Sequence, residues 1–142
     1  VHFPFGLVTA MDVLVRVPVG LGDDESIVCV GEIAANSMLR LLKAPTLRES
    51  LCAQDIAVML KSNTQEADTK SLLTFYCAGR RMHFGADAAR EIQHLKAAVQ
   101  SPCLFGALSL GEIDSLEDLG LPRFHNAAMV CIHNGASAGS RA

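Results

Sequence analysis

The feature that most constrains the fold is a strand–helix–strand pattern in the second half of the chain. Leu72–Tyr76 is a short, almost continuous apolar run, which is typical of a strand covered on both faces. Residues 88–99 then place apolar side chains at helical spacing, and Cys103–Ser109 is a second buried run. Because such crossovers are right-handed and return parallel to the first strand, the pattern predicts two adjacent parallel strands with a helix on one face.

The rest of the chain predicts more strands and one more helix. Val13, Val15 and Val17 alternate with other residues, which is the period of a strand. Thr46 and Glu49 have the spacing of a capping box and predict a helix start. Further short strands are predicted at residues 7–9, 27–30, 38–42 and 127–132, with a second parallel crossover spanning residues 38–76. The expected fold is α+β, a mixed β-sheet of about five to seven strands packed by two main helices.

Composition limits the classes of partner. The 142 residues are 50% apolar and have a formal net charge of −3, which predicts one globular domain over residues 1–134 with a flexible tail at 135–142. A basic stripe for nucleic acid is missing from the sequence, and the longest uncharged apolar run is far below the ~20 residues of a membrane span. Neither a nucleic acid nor a membrane is therefore an expected partner.

The five cysteines form no CxxC pair, and each lies in or beside an apolar stretch. An odd number of such cysteines predicts reduced core thiols rather than a disulfide framework or a zinc ribbon. A reducing, cytoplasmic compartment follows as the expected location.

Polar residues follow the predicted parallel strands, where ligands bind in folds of this type. Gly79 permits a tight turn after the first strand, and Arg80 and Arg81 can grip a carboxylate or a phosphate. Gly111 and Glu112 end the next strand, so the acid is expected to emerge beside the two arginines. The alternative is that each arginine pairs internally with Glu112 or another acid.

His125 and Asn126 precede the last predicted strand. His125 has the chemistry of a proton carrier, a metal ligand or a haem axial ligand, or it orders the strand entrance by bonding a loop carbonyl. Cys77, His125 and Glu112 also contain the residue types of a thiolate triad. However, Cys77 is expected directly after a strand, without a helix N-terminus to activate it, so the sequence predicts no enzyme.

These motifs, in this order, resemble the C-terminal domain of the FIST family (F-box and intracellular signal transduction proteins). The resemblance begins at Val13–Pro18 and continues through Ser26–Leu42. It is sharpest in the segment Phe75–Gly85, in the Gly-Glu-Ile ending of Gly106–Ile113, and in the pair His125-Asn126.

The resemblance implies a sensory input domain of a signal-transduction protein that binds a small ligand such as an amino acid. The expected ligand-binding residues are Gly79, Arg80, Arg81, Gly111, Glu112, His125 and Asn126. The expected partners are the ligand and an N-terminal FIST domain or a signalling output domain, with a homodimer as a further option. No cofactor is expected. The alternatives are a structural or protein–protein interaction module without a ligand, and a haem-based gas sensor with His125 as axial ligand.

Overall fold

The computed structural model describes residues 3–62, 71–115 and 122–133. Within these ranges the chain forms an α+β fold, which confirms the predicted class. The helices are α1 (Cys52–Ser62), α2 (Ala78–Phe84) and α3 (Ala88–Val99). The strands are β1 (Phe5–Val8), β2 (Val13–Leu21), β3 (Ile27–Val30), β4 (Leu39–Leu41), β5 (Leu72–Cys77), β6 (Leu104–Ser109), β7 (Glu112–Ser115), β8 (Pro122–His125) and β9 (Met129–His133).

The described strands divide into three sheets. An N-terminal sheet has the antiparallel order β3-β2-β1-β4, and a central sheet has the order β6-β5-β9. β7 and β8 form a separate antiparallel hairpin. In the central sheet β6 is parallel to β5, and β9 is antiparallel to it, both as the sequence predicts.

Only one of the two predicted crossovers forms. β5, α3 and β6 make the expected parallel unit, but β4 pairs with β1 and therefore belongs to the N-terminal sheet. All three residues of Leu39–Leu41 are exposed, so this short strand cannot serve as a buried central strand. The crossover expected over residues 38–76 is therefore wrong.

The hydrophobic core lies between one face of the central sheet and the helices α1 and α3. Small side chains on the helices let them approach the sheet closely, because alanine adds little volume between helix and strand. The buried core residues are Ala53, Ala57, Leu72, Tyr76, Ala88, Leu95, Val99 and Met129. Within the described ranges, the opposite face of the central sheet has no such cover, and Phe105 and Ile132 are both 53% exposed there.

Two local predictions need correction. Thr46 and Glu49 form the reciprocal hydrogen bonds of a capping box, but they close an isolated turn, and α1 begins only at Cys52. Residues 112–120 carry four acids and no nearby base, which predicts a loop, but residues 112–115 form β7 because β8 supplies the paired strand. The polar segment at residues 62–70 also predicts a surface loop, but apart from residue 62 at the end of α1 it lies outside the described residues. The remainder of the acidic segment and the tail at 135–142 lie outside them as well.

The cysteines are free thiols, but they are not all core residues. Cys77 is buried, three others are partly buried, and Cys103 is exposed. Cys103 precedes an edge strand that other elements leave open, so the prediction of burial is wrong there.

Candidate functional site

The three sequence-distant segments predicted to form the site meet at the carboxyl end of β5. The N–H of Cys77 donates to the carbonyl of Ala128 at 3.2 Å, and the N–H of Ala127 lies 3.2 Å from the Cys77 Sγ. Glu112 on β7 stands opposite His125 on β8. The backbone therefore brings the segments together, as the sequence predicts.

Helix α2 changes the surroundings of Cys77 and Gly79. The sequence predicts that Cys77 ends a strand with no helix after it, but it is the N-cap residue of α2. Gly79 lies inside that helix with ordinary backbone angles rather than in a tight turn. The segment Ala78–Phe84 has only seven residues and no buried residue, so it shows no apolar stripe that would predict a helix from the sequence.

Arg80 turns inward and forms an ion pair with Glu91 on α3. Its Nε lies 2.7 Å from one carboxylate oxygen, and its Nη2 contacts the other, so the pair is bidentate. Nη2 also donates to Ser50 at 2.9 Å, and Nη1 donates to the carbonyl of Ala127 at 3.1 Å. The internal pairing considered for Arg80 is therefore present, with Glu91 rather than Glu112 as the acid.

Glu91 is the centre of this buried cluster. Only 1% of the residue is exposed, and it also accepts hydrogen bonds from the Tyr76 hydroxyl at 2.6 Å and from Ser50 at 3.0 Å. Burial alone would raise the pKa of the Glu91 carboxyl, but the hydrogen bonds from Arg80 and Tyr76 outweigh it and lower that pKa. Burial and the hydrogen bond to Glu91 raise the pKa of the Tyr76 phenol. The carboxylate is thus charged and fully occupied.

Arg81 points away from this cluster. Its guanidinium donates to the carbonyl of Gly85 in the same helical segment, and the residue is exposed. Among the described residues it has no ion pair with a carboxylate. The guanidinium groups of the two neighbouring arginines therefore have different partners in this structure.

Glu112 is buried but does not reach the arginines. One carboxylate oxygen accepts a hydrogen bond from Ser109, and Oε2 has no hydrogen-bond partner in the described part of the protein. Gly111 is required by space, since a Cβ there would overlap the ring of Phe124. The backbone at Gly111 therefore lies close against this ring.

His125 and Asn126 each have a structural partner. Nε2 of His125 lies 2.9 Å from Asp114, which also receives two hydrogen bonds from Arg123. In the orientation that satisfies its amide, Asn126 donates to the carbonyls of Val15 and Val30 at 3.2 and 2.7 Å. Asn126 thus ties the segment before β9 to the N-terminal sheet.

A haem does not fit these residues. An axial ligand needs a ring nitrogen that faces an apolar slot, whereas Nε2 of His125 faces the Asp114 carboxylate. His125 also lines neither of the two cavities of the described structure that are considered below. Nor does it contact Cys77, whose Sγ faces the N–H of Ala127.

A cavity of about 430 Å³ opens beside the Arg80–Glu91 ion pair, and we call it the Arg80 cavity. Its size is within the range of small-molecule sites. It is lined by Pro45, Glu49, Ser50, Leu51, Cys52, Asp55, Ile56, Arg80 and Met129. Of the seven residues predicted from the sequence to bind a ligand, this cavity includes Arg80 alone.

Three residues at or beside the cavity were not predicted from the sequence: Glu91, Glu49 and Asp55. A signal for Glu91 was present, because it lies three residues after Ala88 and four before Leu95, at helical spacing on the buried stripe of α3. A carboxylate at such a buried position needs a cation beside it, which favours Arg80 as its partner. Glu49 and Asp55 read as ordinary polar surface residues, and only the fold shows that they border a cavity.

The sequence model of the FIST C domain matches residues 1–115. The chain belongs to the FIST C domain family. This FIST C domain is accordingly a sensory domain of signal-transduction proteins, and the match covers Arg80, Arg81, Glu91 and Glu112 but not β8 or β9. Comparison with curated proteins and with solved structures found no match. None of its helices, in the described ranges, has the length and hydrophobicity needed to cross a bilayer.

Proposed function

We propose that this sensory domain binds a small ligand in the Arg80 cavity without transforming it, and that the ligand is an amino acid or a similar small amine. The observation that carries the proposal is the charge distribution around the cavity. Arg80 and Glu91 neutralise each other beside it, and the lining also carries the carboxylate of Asp55, which has no ion pair in the described structure, and that of Glu49, which pairs with Lys43 at 3.8 Å.

Arg80 retains hydrogen-bonding capacity toward a ligand. A guanidinium has five N–H groups, and the four hydrogen bonds of Arg80 use four of them. Arg80 lines the cavity and about 12% of its side chain is exposed, so we expect the remaining N–H to be the one that a ligand carboxylate contacts. A zwitterionic amino acid would place its carboxylate there.

The carboxylates on the cavity lining favour a second, positively charged group on the ligand. Asp55 is exposed on the first turn of α1, and no side-chain hydrogen bond or ion pair occupies it in the described structure. Its free carboxylate and that of Glu49 attract an ammonium group, whereas a second anionic group on the ligand would be repelled. We therefore expect lysine, arginine or a small diamine to bind more tightly than glutamate.

Leu51, Ile56 and Met129 supply the apolar part of the lining. They would contact the carbon chain of the ligand, and the apolar area buried would add to affinity. Binding would bridge the 45–52 segment, α1 and β9, because all three contribute to the cavity. A signal would then pass as a change in how these elements pack, toward an N-terminal FIST domain or an output domain of the same protein. The five free thiols support a reducing, cytoplasmic location for this sensor.

Thermal unfolding in the presence of amino acids tests the proposal. A ligand at about 100 times its dissociation constant adds about 2.7 kcal/mol of stability. Lysine, alanine, glutamate and cadaverine should be compared, with the largest stabilisation expected from lysine or cadaverine. Asp55→Asn should abolish most of the shift, because it removes the carboxylate without touching the buried cluster.

Asp23→Asn is the matched control, since Asp23 is exposed in a turn and lines no cavity. It should leave the ligand-induced shift unchanged. A shift that is equal in both variants, or the absence of any shift for all four compounds, would refute the proposed site and favour a module without a ligand.

A further inference from the structure

Strand β6 is open to solvent at its edge and on both faces. Phe105 on one face is 53% exposed and Leu108 on the other is 61% exposed, and Gly106 and Ala107 between them are also exposed. β5 pairs with one side of β6, and no other described residue forms a backbone hydrogen bond with the strand. An unpaired row of N–H and C=O groups therefore faces outward.

The sequence of β6 offers no protection against pairing. Natural edge strands commonly carry a lysine, a proline or a bulge that prevents another chain from adding to them. Leu104–Ser109 contains neither a charged residue nor a proline, and its register with β5 runs without a bulge. Such a strand is suited to receiving another strand.

A groove runs between β6 and α3. It has a volume of about 410 Å³, and Ala88, Ala89 and Ile92 form its helical wall. The small side chains of Ala88 and Ala89 leave space in the groove, and Gly106 adds no side chain on the strand side. An added strand lies about 4.8 Å from its neighbour, so its inward side chains would reach this groove.

Arg81 provides charge at one end of the groove. It follows the carboxyl end of β5, and because β6 is parallel to β5, it stands near the carboxyl end of β6. Its guanidinium has no carboxylate partner among the residues that the structure describes. Charge complementarity therefore calls for an anionic group on whatever occupies the groove.

We propose that β6 and Arg81 form a docking site for an extended segment of another protein. The segment would pair with β6 as an additional strand, place apolar side chains in the groove, and carry a carboxylate beside Arg81. Strand addition to an open edge is a common mode of peptide recognition, in which main-chain hydrogen bonds supply affinity and pockets supply specificity.

A second copy of this chain fits the site less well. In a two-fold antiparallel pairing of β6 with itself, Arg81 of each copy would face the amino end of the other β6. That end is Ser101, Pro102 and Cys103, which offers no carboxylate. The charge of Arg81 would remain unmatched, so a different chain is the better occupant.

Selection from a library of random displayed peptides tests the docking site. The enriched peptides should share alternating apolar residues with an aspartate or glutamate at one end. In hydrogen exchange, an enriched peptide should protect the amides of residues 104–109. Arg81→Glu should weaken its binding about tenfold or more, and Leu108→Glu should weaken it through the groove.

Arg40→Glu is the matched control, because Arg40 is an exposed arginine on β4 in a different sheet. It should leave the affinity unchanged. Failure to enrich any peptide, equal binding by the Arg81 and Arg40 variants, or protection that falls outside 104–109 would each overturn the proposal. A peptide-free dimer in sedimentation with β6 protected would instead assign the edge to a second copy. The Arg80 cavity shares only α2 with this site, through Arg80 rather than Arg81, so the thermal-unfolding test of ligand sensing is read separately from these outcomes.

Discussion

At the scale of single residues, Glu91 is the centre of a buried cluster of polar side chains that links several elements. It accepts from Arg80, Tyr76 and Ser50, and thereby joins α3, α2, β5 and the segment before α1. Replacing it with alanine would leave the Arg80 guanidinium buried without a counter-charge. Breaking a buried pair in this way costs about 3–5 kcal/mol. We expect Glu91→Ala to lower the free energy of unfolding by that amount, measured by urea denaturation.

Gln93→Ala is the matched control, since Gln93 is exposed on the same helix. It should change the free energy of unfolding by less than about 0.5 kcal/mol. In the double variant Arg80→Ala/Glu91→Ala, the loss should be smaller than the sum of the two single losses, because neither charge is then stranded. Additive losses would show that the two side chains do not interact.

At the scale of elements, Gly106 determines how closely β5 and β6 approach. A Cβ on this glycine would overlap the carbonyl oxygen of Thr74, which is backbone and cannot rotate away. We expect Gly106→Ala to lower the free energy of unfolding by at least about 1–3 kcal/mol, as overpacking does. Gly20→Ala on β2 is the control, because a Cβ there meets nothing within 4 Å. Equal urea midpoints for the two variants would contradict the close approach.

The sequence predicts an element correctly where its own apolar residues follow a strand or helix period. It fails where the element has no apolar stripe or forms only by pairing with a distant strand. The apolar run Leu72–Tyr76 predicts a buried strand, and the spacing of the buried residues of α3 predicts a helix. The polar segment Ala78–Phe84 has no buried residue, so α2 leaves no apolar stripe in the sequence. β7 is acidic and depends on β8 for its pairing, which no local pattern of residues reveals.

The candidate site was predictable at the level of the backbone but not at the level of side chains. Two parallel strands bring their carboxyl ends together whatever residues follow, and this places Cys77 and Ser109 opposite each other. The direction of a guanidinium depends instead on which acids compete for it. Arg80 finds Glu91 on the adjacent helix, and Glu112 is held by Ser109, so the two predicted partners do not meet.

At the scale of the whole molecule, the helices cover one face of the central sheet and leave the other bare. Phe105, Val130 and Ile132 are each at least 41% exposed on the bare face. The exposed apolar side chains of this face and the open edge of β6 therefore both belong to the central sheet. The polar cluster around Glu91 lies on the covered side, where it links β5 to α2, α3 and the segment before α1.

The stability of the whole fold should therefore depend on pH through Glu91. Its pKa is lower in the folded state than the value of about 4.3 in an unfolded chain, so folding favours the charged form. The stabilisation is fully present above that value and is lost as the pH falls through the lower, folded pKa. Arg80 and Tyr76, which face the carboxylate, keep their protons throughout this range.

The Glu91 carboxyl should keep the urea midpoint nearly constant between pH 7 and about pH 5. Below about pH 4 the midpoint should fall, because the carboxyl then becomes protonated. The pKa of Asp114 is also lowered by Arg123 and His125 against the effect of burial, but its side chain is 50% exposed and solvent screens it. Glu91→Gln should thus flatten the acid limb, whereas Glu32→Gln, at an exposed acid, should not. If both variants lose stability in acid as steeply as the parent protein, the buried pair does not control acid unfolding, and carboxylates elsewhere in the chain do.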